Sequence, residues 1–133
     1  MNKFDLEERL INFAVLIVEI EGTMPNTRAA NHLAGQLLRS GTSPALNYGE
    51  AQSGESRRDF IHKIKIVLKE LRETYVCLKI IYRTKLYVSE EKMKLTINEN
   101  NELISIFVKS AETAQKNDER ELNLKSKIVN PCS

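Results

Sequence analysis

Arg39-Ser-Gly-Thr-Ser-Pro-Ala-Leu-Asn-Tyr-Gly-Glu-Ala51 puts a polar row and a small-residue row on one helix. Arg39, Ser43, Asn47 and Glu50 recur at steps of four, four and three, so on a helix they form one polar stripe. Gly41, Ala45 and Gly49 recur at steps of four and form a second stripe with almost no side-chain bulk. Alone this would be a poor helix, because Gly costs about 1 kcal/mol against Ala and interior Pro about 3. A tertiary contact must compensate, and a ridge of small residues suits a close helix–helix approach or a second subunit. A kink is expected at Pro44, which lacks an amide hydrogen and crowds the carbonyl of Ser40. A break into two helices at Thr42-Ser43 is the alternative.

Working outward, the pattern predicts four helices and almost no strand. The first runs from about Phe4 to Glu21, with Leu6, Leu10, Phe13, Ile17 and Ile20 spaced as a heptad seam. Ile11, Ala14, Val15, Leu16 and Val18 widen its apolar arc beyond what one core needs, so a second buried contact with another subunit is expected. Thr27 is the expected N-cap of the second helix, whose early core positions are Ala30, Leu33, Ala34, Leu37 and Leu38. The third and longest is expected over about Ser56 to Tyr87, with a seam of Phe60, Ile64, Val67, Leu71, Tyr75, Leu78 and Tyr82. Ser89, Glu90 and Glu91 open the fourth, acidic residues suiting a helix N-terminus. Ile97, Ile104, Phe107, Val108, Ala111 and Ala114 supply its apolar face, and Leu95-Thr-Ile97 with the Asn98 to Asn101 cluster can interrupt it. The expected architecture is all-α: an antiparallel up-down-up-down four-helix bundle over 1–116, followed by a polar, flexible C-terminal tail over 117–133.

The 133 residues are enough for one domain with its own core. Charges cancel to +2, but Arg57 to Lys94 holds eleven Lys/Arg against five Asp/Glu, so the basic excess lies in the third quarter. Two cysteines, Cys77 and Cys132, make no disulfide framework, which fits a reducing compartment. With no signal-peptide pattern and no apolar run near the roughly 20 residues of a span, the chain reads as soluble and cytoplasmic, without a membrane role.

Motifs for chemistry are sparse. Asp59-Phe-Ile-His62 resembles half of a bundle di-iron motif, but no second copy exists, so a solvated Asp and surface His are expected. His32 reads as a surface or interface residue. Gly41-x-Ser43-x-Ala45 lacks the preceding strand of a nucleophile elbow. No phosphate-cradling glycine loop or zinc-spaced cysteine pair occurs. Catalytic, cofactor and metal sites are therefore expected to be absent. The polar row Arg39, Ser43, Asn47, Glu50 reads first as a network fixing helix register and second as the lining of a ligand groove. Arg57, Arg58, Lys65, Lys69 and Arg72 are the candidate nucleic-acid contacts. Lys65, Lys69 and Arg72 share a stripe near Arg58, against the commoner explanation of a solvated face.

Gln36-Leu-Leu-Arg-Ser40, Ser43-Pro-Ala-Leu-Asn47-Tyr-Gly-Glu-Ala51, Ser56-Arg-Arg-Asp-Phe-Ile-His-Lys-Ile-Lys65 and Leu68-Lys-Glu-Leu-Arg-Glu73 together resemble the bacterial four-helix-bundle family named for ribosomal-RNA intervening sequences. The resemblance covers the four helices and is most specific between about Gln36 and Tyr82. It departs at Ala51, where many members carry Gly, and at Tyr48, where a smaller aliphatic residue is common. The resemblance implies an antiparallel bundle and a ring-shaped homo-oligomer, typically a pentamer. Some members are encoded inside insertions of large-subunit ribosomal-RNA genes. A similar bundle is the accessory protein of diversity-generating retroelements, binding reverse transcriptase and nucleic acid. The functional expectation is a non-enzymatic oligomer that touches RNA or DNA, or a nucleic-acid-processing protein, through basic surfaces; the alternative is a purely protein-binding scaffold.

Overall fold

Each helix begins where a short polar side chain can replace a missing backbone partner. The computed structural model describes residues 1–54 and 56–129. Its elements are α1 (Lys3–Gly22), α2 (Arg28–Gln52), α3 (Arg57–Arg83) and α4 (Glu90–Val129). The Asn2 side chain accepts from the amides of Phe4 and Asp5, Thr27 from Ala30, Ser56 from Asp59 and Ser89 from Lys92. Each cap satisfies amides that the first helical turn leaves unpaired.

Contacts join α1 to α2, α2 to α3, α3 to α4, and α4 back to α1, with α2–α3 the most extensive and α1–α4 the least. Every helix thus has two neighbours, and α1 and α3 stand on opposite corners of an all-α four-helix bundle. At the α1–α4 edge Arg9 grips Glu99 through two hydrogen bonds of 2.7 and 2.8 Å and reaches Glu102 at 2.6 Å; Lys92 pairs with Glu19 along the same edge.

The α1 seam is as expected: Leu6, Leu10, Phe13, Ile17 and Ile20 are the buried residues. On α2, Ala30, Ala34 and Leu37 are buried, Leu33 is half-buried and Leu38 faces outward. α2 runs through Pro44 without a break, so the two-helix alternative does not occur. The α3 seam needs correcting. Ile61, Thr74, Cys77 and Ile81 are buried with Ile64, Val67, Leu71 and Leu78, whereas Phe60, Tyr75 and Tyr82 sit half-buried at its margins. α3 makes the two most extensive helix contacts of the bundle, with α2 and α4, so it buries a wider face than one heptad seam, and tyrosine keeps its hydroxyl near water.

α3 also ends four residues before the expected Tyr87. Thr84 is its C-cap, Lys85 has φ 56°, and the amides of Leu86 and Lys85 turn back to the carbonyls of Ile81 and Tyr82. This is a Schellman stop with lysine where glycine is usual. α4, not α3, is the longest helix: it is uninterrupted through Leu95-Thr-Ile97 and Asn98 to Asn101, and its 40 residues, against 27 in α3, extend about 60 Å. Asn100 buries its side chain and donates to the Leu71 carbonyl of α3 at 3.0 Å. The segment from 117 continues as helix to Val129, with side chains 119–127 exposed. Cys132 lies outside the described residues.

Phe13 and Phe107 are the largest fully buried side chains. The Phe107 ring meets Tyr48 edge to face, centroids 5.5 Å apart at 82°. Tyr48, one of the departures from the family pattern, therefore fills the core between α2 and α4 rather than facing solvent.

Candidate nucleic-acid interface

The two stripes of the opening segment face different neighbours. A Cβ built on Gly41 would lie 2.6 and 2.7 Å from the γ carbons of Ile17, and one on Gly49 would lie 3.6 Å from Glu7 Oε1. The small ridge, with half-buried Ala45 between them, is thus the seat of α1. The polar row points the other way. Arg39 Nη1 reaches Glu70 Oε2 at 3.0 Å and Nη2 reaches Glu73 Oε2 at 2.7 Å, clamping α2 to α3. Only 11% of the Glu70 side chain is exposed, so Arg39 offsets a carboxylate that would otherwise be left desolvated. Hydrogen bonding to Arg39 holds the Glu73 carboxyl below the usual glutamate value, and the same bond raises the guanidinium of Arg39.

The rest of the row is more local than a continuous network. Asn47 donates back to the carbonyl and hydroxyl of Ser43 at 3.0 and 2.8 Å within α2. Glu50 pairs with Lys63 at 2.5 Å in largely exposed surroundings. The polar contact buried most completely between α2 and α3 is instead a hydroxyl pair, Ser40 Oγ to Thr74 Oγ1 at 2.9 Å. Its signal was present in the sequence as Ser40, one residue off the polar row.

Outside this clamp, α2 and α3 enclose an open groove of about 870 Å³. Leu33, Leu68, Val76 and Ile80 give it apolar walls, Ser40 and Cys77 are buried at its base, and His32, Gln36 and Arg39 form the α2 rim. Lys65, Lys69 and Arg72 form the α3 rim, so three of the five basic candidates are brought together. The other two are not. Arg57 turns to Glu121 of α4 at 3.2 Å, and Arg58 stands exposed on the first turn of α3, outside the groove. Burial raises the Cys77 thiol, whose Sγ is 3.5 Å from the Leu33 carbonyl oxygen, so it rests as a packed thiol rather than a thiolate.

The basic register of α3 extends beyond the three rim residues. Arg58, Lys65, Arg72 and Lys79 repeat every seven residues, and Arg83 follows four later. This spacing carries them along one outer side of α3. Together with Lys69, none of them makes an ion pair among the described residues. On the other flank of α3 a second groove, of about 370 Å³, is lined by Tyr75, Lys79, Tyr82, Arg83, Lys94, Ile97, Asn98 and Asn101. Both tyrosines fall on the expected core seam yet line this groove; their spacing from Lys79, four before and three after, is the sequence signal for it.

Asp59 and His62 are both exposed near the start of α3, and no group of three or more His, Cys, Asp or Glu residues suited to a metal occurs among the described residues. Ser43 lies in mid-helix, held by Asn47. No helix among the described residues is long and apolar enough to cross a membrane.

No curated protein matches the chain. A solved structure from Bacteroides thetaiotaomicron, described as a protein with unknown function from the S23 ribosomal protein family, is 32% identical; the match covers 84% of this chain and 99% of that one with a TM-score of 0.75. Residues 2–109 match the family model described as 23S rRNA-intervening sequence protein, and the chain belongs to that family.

Proposed function

We propose that this protein is a non-catalytic, self-assembling binding module that holds nucleic acid, or a nucleoprotein, by phosphate contacts along α3. The observation that carries the reading is the basic track Arg58, Lys65, Lys69, Arg72, Lys79 and Arg83, without ion-pair partners among the described residues. A lysine already paired with a carboxylate gains little from a phosphate. One without a partner releases condensed counterions from the polymer when it binds, which is the main source of sequence-independent affinity.

Self-assembly is supported by α1. Its outer face exposes Phe4 by 67%, Ile11 by 40%, Val15 by 49% and Val18 by 48%, at steps of seven, four and three. This is a second heptad stripe, turned away from the core. A ring built on it repeats the basic track once per subunit, so weak contacts add as avidity. Light scattering should give a mass several times 15.2 kDa, and a monomer at micromolar concentration would refute assembly.

The phosphate reading is tested with a structured RNA titrated at increasing salt. Binding should weaken steeply as salt rises, and changing Lys65, Lys69 and Arg72 together to Gln should flatten the log–log slope by about three units while helical content and mass stay unchanged. Absence of salt-sensitive binding in the parent would favour the scaffold alternative. That reading draws on the apolar walls Leu33, Leu68, Val76 and Ile80, which suit a protein partner.

A further inference from the structure

The α3–α4 groove differs in chemistry from the α2–α3 groove. Among the described residues three cations line it, Lys79, Arg83 and Lys94, and no carboxylate does. Two tyrosine rings, the exposed amides of Asn98 and Asn101, and half-buried Ile97 complete it. Lys79 Nζ lies over the Tyr75 ring, 5.1 Å from its centroid, so that face holds a cation and a base stacks there by displacing it. Tyr82 is held by its hydroxyl, which donates to Glu90 at 2.7 Å, leaving the ring to line the groove. Glu90 is the nearby acid, but Tyr82 and Lys94 already engage it.

We infer that this groove receives an unpaired nucleobase, with the flanking phosphates on Lys79 and Arg83, and hence that the chain prefers single-stranded nucleic acid. The inference rests on the nucleic-acid reading above and narrows its ligand. Cations alone would serve any phosphate polymer. Ring faces beside them serve only a polymer whose bases are free to leave a stack, because a duplex buries those faces against one another. A groove of about 370 Å³ admits a base and its sugar but not a duplex. Asn98 and Asn101 each offer a donor and an acceptor to a base edge, which no lysine-rich surface can do. Lys79 and Arg83 also continue the track from Lys65 and Arg72, so one strand can run along α3 and turn a base into the groove at its far end.

The test compares fluorescence anisotropy of a labelled oligouridine of about twelve nucleotides with that of an RNA duplex of equal length. The parent should bind the single strand more tightly. Replacing Tyr75 and Tyr82 together by Leu should weaken oligouridine binding about tenfold or more, whereas Phe at both positions should stay within about twofold, because stacking needs the ring and not the hydroxyl. Both tyrosines are half-buried, so a second variant avoids the core: Asn98→Glu with Asn101→Glu, exposed on α4, places carboxylates against the phosphates and should abolish the single-strand preference with helical content intact. Glu variants that bind oligouridine as the parent does, or a parent that favours duplex, would overturn this inference while leaving the general reading standing if the Lys65, Lys69, Arg72 variant still loses binding. A parent that binds neither probe would overturn both.

Discussion

Gly41→Ala isolates the close approach of α1 and α2. The new Cβ would sit 2.6 and 2.7 Å from the γ carbons of Ile17 and 3.1 Å from its Cβ, where carbon atoms ordinarily rest about 3.5–4.0 Å apart. Rotation of Ile17 gives no relief. The side chain is fully buried, it branches at Cβ, and both branches are already in the way. The helices must therefore part locally by about 1 Å. Overpacking of this kind costs about 1–3 kcal/mol, against about 1 kcal/mol gained by replacing helical Gly with Ala. The net expectation is a loss of about 1 kcal/mol.

Gly35→Ala on the same helix supplies the control, since nothing lies within 4 Å of its Cβ, and it should gain about 1 kcal/mol from propensity alone. Urea unfolding followed by circular dichroism, at one fixed protein concentration, should separate the two variants by about 2 kcal/mol at equal m. In an Ile17→Ala background, itself costing about 2–5 kcal/mol, the γ carbons are gone and Gly41→Ala should cease to destabilise. A Gly41→Ala protein as stable as Gly35→Ala, or a cycle with no coupling, would refute the seating of α1 on the small ridge.

Further outcomes follow from the polar contacts. Asn100 is fully buried, and its Oδ1 accepts no hydrogen bond from the described residues, so Asn100→Leu should raise the urea midpoint, by about 1 kcal/mol of stability. Arg39→Ala strands Glu70 and should cost about 2 kcal/mol, most of it recovered by adding Glu70→Gln; equal stability of the single and double variants would contradict the clamp. Because Arg39 holds the Glu73 carboxyl below its usual value, the folded state binds that proton less readily than the unfolded one. The contribution is present at neutral pH and lost as the pH falls below the usual glutamate range, and Glu73→Gln should flatten that part of an acid titration.

What the sequence made legible was whatever depended on periodicity within one helix. Leu6, Leu10, Phe13, Ile17 and Ile20 could be read because their spacing is strict and their burial complete. The cap at Thr27 and the helix starts at Ser56 and Ser89 are local chemistry, as is the run of acids that opens α4. What it concealed depended on which helices are neighbours. Both stripes of α2 were visible, but only the cyclic contact order assigns the small one to Ile17 and the polar one to Glu70 and Glu73. Thr74 reads as an interruption in an apolar seam until Ser40 is found opposite it. Likewise Tyr75 and Tyr82 fall on the core seam by spacing, although the widened buried face of α3 is filled by Ile61, Cys77 and Ile81.

The same contact order bears on function. In a bundle where each helix backbone approaches only its two neighbours, α1 and α3 occupy opposite corners, and their outer faces point in opposite directions. Neither outer face is required by the core, yet both are periodic: apolar at Phe4, Ile11, Val15 and Val18 on α1, basic at Arg58, Lys65, Arg72 and Lys79 on α3. Solubility alone asks for scattered charge of both signs and sets no spacing. A regular apolar stripe suits another helix laid along it, and a regular cationic one suits a polymer of evenly spaced phosphates. Because the two corners are opposed, subunits that join through α1 would leave the α3 track free, so assembly and nucleic-acid contact need not compete for the same surface.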